Sequence, residues 1–195
     1  MITAEQVKAL RDQTGAGMME CKNALSESAG DAVKAVRLLR ERGAASAAKK
    51  ASRDAKDGRV GSYIHSGGRI GVMLELSCET DFVARTKEFQ ELLDEIAMQI
   101  AANNPAYITR EEVPPERVAE ERAILEKQVD PKKPPEIRRK IVDGKINSFY
   151  EQVCLLDQPY VRDPKKKIQD LLTEKVATIK ENIRIRRFVR FAIGE

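Results

Sequence analysis

Tryptophan is absent from the sequence, histidine occurs once, cysteine three times, and aromatic residues make up only 5% of the chain. With His65 alone, one chain builds neither a multi-histidine metal cage nor a pair of histidine acid-base groups. Cys21, Cys78 and Cys154 are odd in number, far apart and outside any Cys-x-x-Cys pair. That argues against a disulfide framework or a zinc site and for reduced, mostly buried thiols. No apolar run approaches the roughly 18 to 20 residues of a membrane span, and no basic stretch followed by an apolar one opens the chain. A cytoplasmic protein without a membrane partner is expected. Neither sign of charge dominates: 35 Lys and Arg against 31 Asp and Glu leave a net +4, a weak pull toward nucleic acid. The Gly67-Gly68 pair lacks the spacing and the following helix of a nucleotide-binding loop.

What is present is enough to fold. The chain has 195 residues, 42% of them hydrophobic and 34% charged, which suits a small unit joined to a larger one. Thr3 with Gln6 makes a capping-box pattern ahead of Val7 and Leu10, and Gly15 and Gly17 interrupt that helix. Met18, Cys21 and Leu25 follow at helical spacing, and Asp31 can cap a third helix carrying Val33, Val36 and Leu39. Residues 1–45 thus read as a three-helix bundle, with 46–59 as an Ala- and Lys-rich connector. Met18 and Met19 point about 100° apart on a helix, so a small bundle cannot easily bury both.

Residues 60–195 change character. Val60 to His65 and Ile70 to Cys78 read as a β-hairpin around Ser66-Gly67-Gly68. Phe89, Leu92, Leu93, Ile96 and Ile100 form a helical stripe with Thr86 as its cap. Two further helices, broken by the prolines between Asp130 and Pro135, suggest a projecting helical hairpin over about 114–156. Asp163-Pro164 has the cap and first-turn character of one more helix, with Ile168, Leu171, Leu172 and Ile179. Ile183, Ile185, Val189, Phe191 and Ile193 then alternate with Arg184, Arg186 and Arg190, as in a terminal strand whose arginines either guard an edge or meet phosphate. The fold class expected is α+β: a helical bundle, then a small antiparallel sheet packed with helices.

No catalytic constellation emerges. His65 has no nucleophile motif beside it and the carboxylates are scattered, so no catalytic residue, metal or cofactor is expected. Phe82 stands out, because neither the strand nor the helix period demands an aromatic between them. Periodicity alone has it closing the core between the two elements; projection is the other reading. A nucleic-acid module using the terminal arginines and a passive helical adaptor stay open as functional classes.

Two stretches resemble the translation elongation factor Ts family. One is Leu10-Arg11 followed by Thr14-Gly15-Ala16-Gly17-Met18-Met19-Glu20-Cys21-Lys22-Asn23-Ala24-Leu25, and the other is Glu75-Leu76-Ser77-Cys78-Glu79-Thr80-Asp81-Phe82-Val83-Ala84. Tyr63-Ile64-His65, Gly68-Arg69-Ile70-Gly71-Val72 and the closing run Ile183 to Phe191 extend the likeness along nearly the whole chain. The resemblance implies a guanine-nucleotide exchange factor that binds elongation factor Tu and promotes GDP release without covalent catalysis and without needing nucleic acid. It implies a ubiquitin-associated-like N-terminal bundle. It also implies that Thr80, Asp81, Phe82 and Val83, with His65, reach the partner's magnesium and phosphate region, while Met18, Met19 and Lys22 touch a separate helix of the partner. Longer family members carry two copies of the sheet module and a further C-terminal module. The single hairpin here looks like the short form, for which the family implies a homodimer.

Overall fold

The computed structural model describes residues 2–195. In chain order the elements are α1 (Ala4–Thr14), α2 (Met18–Glu27), α3 (Ala32–Lys50), β1 (Asp57–Ile64), β2 (Ile70–Cys78), α4 (Asp81–Ala84) and α5 (Lys87–Asn103). There follow α6 (Pro115–Gln128), α7 (Pro135–Val153), β3 (Pro159–Tyr160), β4 (Asp163–Lys167), α8 (Ile168–Ile179) and β5 (Arg184–Ala192). Single 3-10 turns lie at Arg110–Glu112 and Leu155–Asp157. The architecture is α+β. Contacts divide the chain into two units: one joins Met1–Val60, Glu75–Leu93 and Asp170–Arg186, the other Gly61–Leu74, Asp94–Gln169 and Arg187–Glu195.

The first unit begins with the bundle. The Thr3 hydroxyl accepts from Gln6 N–H while the Gln6 side chain accepts from Thr3 N–H, closing the capping box that starts α1. Gly15 ends α1 at φ 68°, where a residue with a Cβ is strained. Asp31 caps α3 by accepting from Lys34 N–H at 3.0 Å. Val7, Leu10, Cys21, Ala24, Leu25 and Ala35 make the bundle core. Val33, expected on the inner stripe, is 81% exposed, because Ala35 takes the buried position and Val36 and Leu39 are only partly covered. A Cβ on Gly43 would stand 3.2 Å from that of Ala177, so α3 and α8 approach closely.

The three-stranded sheet has the order β1-β2-β5. The Ser66-Gly67-Gly68 turn is as expected, with Gly67 at φ 89° and Gly68 at φ 68°. Val72, Leu74, Leu76 and Cys78 are buried along β2, while Met73 is exposed. β1 starts at Asp57, earlier than Val60. Gly58 explains how: at φ 145° it lies against β2, where a Cβ would come within 2.2 Å of Leu76 O.

Phe89, Leu92, Leu93, Ile96 and Ile100 of α5 are all buried, and Thr86 caps the helix by accepting from Phe89 N–H at 3.3 Å. In the second unit α6 and α7 pair through Leu125, Val129, Val142 and Ile146, with Arg122 holding Asp143 at 2.8 Å. Ile137, in the first turn of α7, is exposed. Near the base of the pair, Arg110 binds Asp157 and stacks 4.7 Å from the Tyr150 ring centroid.

The Asp163-Pro164 expectation is corrected. Asp163–Lys167 is strand β4, antiparallel to β3, and α8 starts only at Ile168. Asp-Pro resembles a cap followed by a first helical residue, but proline is equally at home in a short ribbon that needs few donors. The buried Gln99 side chain anchors this ribbon, donating to Pro159 O and accepting from Val161 N–H at 2.9 Å.

β5 also departs from the expected pattern. β5 is an edge strand, and three of its arginines bind groups of the protein itself. Arg184 donates to Ala51 O, Arg186 to Ser77 Oγ and Ala55 O, and Arg190 to Ala101 O, the last with a side chain only 9% exposed. Among the apolar odd positions, Ile183 and Ile185 are buried, whereas Val189, Phe191 and Ile193 are exposed. Ile193 N–H donates to Arg69 O at 2.9 Å, and a regular antiparallel ladder counted back from that bond sets Phe191 across from Gly71 and Val189 across from Met73. Ile64 adjoins Gly71 on the same face, 3.1 Å from where its Cβ would be. Within the second unit these side chains form an exposed apolar patch on this sheet face, with Arg187 at its end.

Candidate functional site

The turn after β2 is built by Thr80. Its backbone is extended at φ −133°, and its hydroxyl accepts from Val83 N–H, so the chain leaves the strand and winds into the single turn of α4. Cys78 and Ala84 face inward and are buried. Phe82 is thereby turned outward and is 80% exposed. The core-closing reading of Phe82 is overturned, because Ala84 and Phe89 fill the space between strand and helix. Asp81, half-buried, holds Arg85 at 2.9 Å, an exposed ion pair of the kind worth about 0–1 kcal/mol and easily exchanged for another partner. Beside Val83 and Thr86 runs a groove of about 560 Å³, walled by Thr14, Gly15, Glu174 and Thr178.

Behind this turn are residues that no local sequence pattern singles out. The Glu181 carboxylate accepts from Glu79 N–H at 3.0 Å, from Thr80 N–H at 3.1 Å and from the Thr80 hydroxyl at 2.7 Å. The Glu79 carboxylate in turn accepts from Asn182 N–H at 2.7 Å and pairs with Arg53 at 3.5 Å. A separation of 101 residues between Thr80 and Glu181 leaves no local pattern by which to find them.

Met18, Met19 and Lys22 form a second exposed group in the first unit. Gly17 precedes α2, and its N–H donates to the Glu20 carboxylate at 3.0 Å, which with Lys180 holds that carboxyl below its usual range. Cys21, Ala24 and Leu25 occupy the inner face of α2, so Met18 is 47% and Met19 63% exposed, with Lys22 one turn beyond Met18. Met18 is therefore removed from the core stripe in which the spacing had placed it.

His65 belongs to the second unit. It is exposed just beyond β1; its N–H donates to Ile70 O and its carbonyl accepts from Gly68 N–H, both at 2.9 Å. Its Nδ1 lies 3.1 Å from the Tyr63 hydroxyl. The structure thus gathers Thr80 to Val83 in one turn and Met18, Met19 and Lys22 on one helix face.

The cysteines offer no accessible nucleophile. All are free and buried, and burial pushes the Cys78 and Cys154 thiols up to about 11 and raises that of Cys21. A thiol-reactive dye at pH 8 is expected to label none of them in the native protein and all of them after denaturation; prompt native labelling would contradict the buried placement. No described group of His, Cys, Asp and Glu is arranged to hold a metal ion, and no described helix is long and apolar enough to cross a membrane.

Comparison with known proteins gives one consistent result. The family model described as Elongation factor TS matches residues 3–195. The chain is 58% identical to Elongation factor Ts of Thermodesulfovibrio yellowstonii, a match covering 100% of this chain and 97% of that protein. It is 56% identical to Elongation factor Ts of Acetivibrio thermocellus, covering 100% and 91% respectively. With Elongation factor Ts of Thermoanaerobacter pseudethanolicus the identity is 57%, over 100% and 96%.

Proposed function

Because the chain belongs to the elongation factor Ts family of translation elongation factors, we propose that it is a guanine-nucleotide exchange factor for elongation factor Tu, acting in the cytoplasm without covalent catalysis. The observation that carries this reading is Phe82, 80% exposed on a turn whose backbone is tied down. A large apolar side chain held outward at the tip of a short turn loses little freedom on docking, so most of its burial energy is available to distort a partner. Asp81 beside it brings a carboxylate that competes for magnesium and repels phosphate. Val83 and Thr80 flank the wedge.

Exchange follows from linkage. A protein that binds the nucleotide-free GTPase more tightly than the GDP-bound form weakens GDP binding by the same factor. A ten-thousandfold acceleration needs about 5.5 kcal/mol in the transition state for release. Burying one Phe supplies roughly 1.5–3 kcal/mol, so the contacts of Met18, Met19, Lys22 and His65 supply the rest. Titration calorimetry tests the premise: the chain should bind nucleotide-free elongation factor Tu at least a hundredfold more tightly than the GDP complex, and equal affinities would reject it.

His65→Ala is expected to slow GDP release only about threefold, about 0.7 kcal/mol, since His65 adds one edge contact to a wedge that Phe82 dominates. Its urea midpoint should stay at the wild-type value; a loss of stability without loss of exchange would make His65 a structural residue.

A homodimer is part of the same proposal. Ile64, Met73, Val189, Phe191 and Ile193 leave an apolar sheet face bare, and a second copy related by a two-fold axis covers it with the same residues.

A further inference from the structure

We propose that Glu181 is a positioning residue for exchange, holding the turn that carries Phe82 in its outward conformation. The inference rests on the exchange reading above and adds to it a residue that does not itself form part of the exposed contact turn.

The geometry is a reciprocal clasp. One Glu181 oxygen accepts from two consecutive backbone N–H groups, those of Glu79 and Thr80, and its other oxygen accepts from the Thr80 hydroxyl. The Glu79 carboxylate then accepts from the N–H of Asn182, the residue after Glu181. Asn182 completes the closure by donating from its side chain to Arg53 O at 2.7 Å. Two segments far apart in sequence are thus bound through each other's backbones, and both are the last residues before a functional turn or strand.

Ordinary strand pairing does not account for this. β2 ends at Cys78 and β5 begins at Arg184, so the clasp lies past the end of the ladder, where Glu79 N–H and Thr80 N–H have no strand partner. Thr80 is also the cap of α4, so its hydroxyl both donates to Glu181 and accepts from Val83 N–H. Fixing that hydroxyl fixes the start of the turn two residues before Phe82. A charged acceptor serving several donors is stronger than a neutral one. Its removal leaves those donors to water and lets α4 unwind or swing.

The test uses the full-length chain with elongation factor Tu carrying fluorescent GDP. Glu181→Gln keeps one accepting oxygen for the two backbone N–H groups but removes the negative charge and the acceptor for the Thr80 hydroxyl. The expected result is an approximately tenfold fall in the maximal release rate at saturating protein, with the half-saturating concentration changed less than threefold, because Met18, Met19 and Lys22 still dock. Since Glu181 acts through Phe82, Glu181→Gln combined with Phe82→Ala should release GDP no more slowly than Phe82→Ala alone. Wild-type release rates in Glu181→Gln, or losses that add in full in the double variant, would overturn the proposal.

If wild-type protein fails to accelerate release at all, the exchange reading itself falls; if wild type accelerates and only the Glu181 variants behave normally, the clasp alone falls. Amide hydrogen exchange on the wild-type chain decides the matter should Glu181→Gln not fold. The Thr80 amide should be protected comparably to amides within β2, and exchange as fast as in an open loop would overturn the clasp.

Discussion

Phe82→Ala is expected to leave the fold intact and to slow GDP release from elongation factor Tu by one to two decades. The side chain is 80% exposed, so truncating it creates no cavity in this protein, and the urea midpoint should shift by no more than about 0.5 kcal/mol in free energy. The whole effect is expected in the complex. Docking a Phe in an apolar cleft is worth roughly 1.5–3 kcal/mol, and each 1.4 kcal/mol lost from the release transition state is one decade. Stopped-flow fluorescence at saturating protein reads the maximal rate directly. Phe82→Leu should retain more of it than Phe82→Ala, since it keeps part of the apolar area. A variant that releases GDP at the wild-type rate with unchanged stability would remove Phe82 from the mechanism.

Phe191→Asp is expected to convert a dimer into a monomer. Phe191 is 67% exposed on this sheet face, flanked by Val189 and Ile193 and across from Gly71, over which the Ile64 side chain lies. A carboxylate buried there without a counter-ion costs several kcal/mol, so the dimer dissociation constant should rise at least about a hundredfold. Because Phe191 is mostly exposed, the monomer should remain folded. Sedimentation velocity across a thousandfold range of concentration gives the answer. Wild-type protein sedimenting as a monomer throughout, or Phe191→Asp remaining dimeric, would contradict the assignment of this face.

Much of the fold was legible because its signals are local. The capping box at Thr3 and Gln6, the alternation along β2 and the stripe from Phe89 to Ile100 each follow from a spacing that only one backbone geometry satisfies. Errors arose where a residue pair fits two geometries. Asp163-Pro164 suits a helix start as well as a two-strand ribbon, and only the buried Gln99 beneath Pro159 and Val161 decides between them. Val33 and Met18 sit at helical spacing yet face outward, since a short bundle buries just one narrow stripe on each helix.

The candidate site was less legible for a related reason. Phe82 is flagged by a break in pattern, but whether it points inward depends on Ala84 and Phe89 having filled the core first. Glu181 carries no sequence signal, because two of its partners are backbone N–H groups, the same whatever the residue, and the third is the Thr80 hydroxyl 101 residues away. The arginines of β5 illustrate the converse. Their spacing suggested an edge-guarding or phosphate-binding face and carried no sign that Arg186, itself exposed, and Arg190 also bind backbone carbonyls of the same chain.

As proposed, this chain shifts a GTPase away from its GDP-bound state through an exposed wedge and distributed contacts. The most direct measurement is the rate at which elongation factor Tu loses fluorescent GDP, followed against excess unlabelled nucleotide as the concentration of this protein is raised. The rate should climb at least about a thousandfold above the spontaneous value and then saturate. A complex that forms, by sedimentation of the same mixture, while GDP leaves at its spontaneous rate would contradict it.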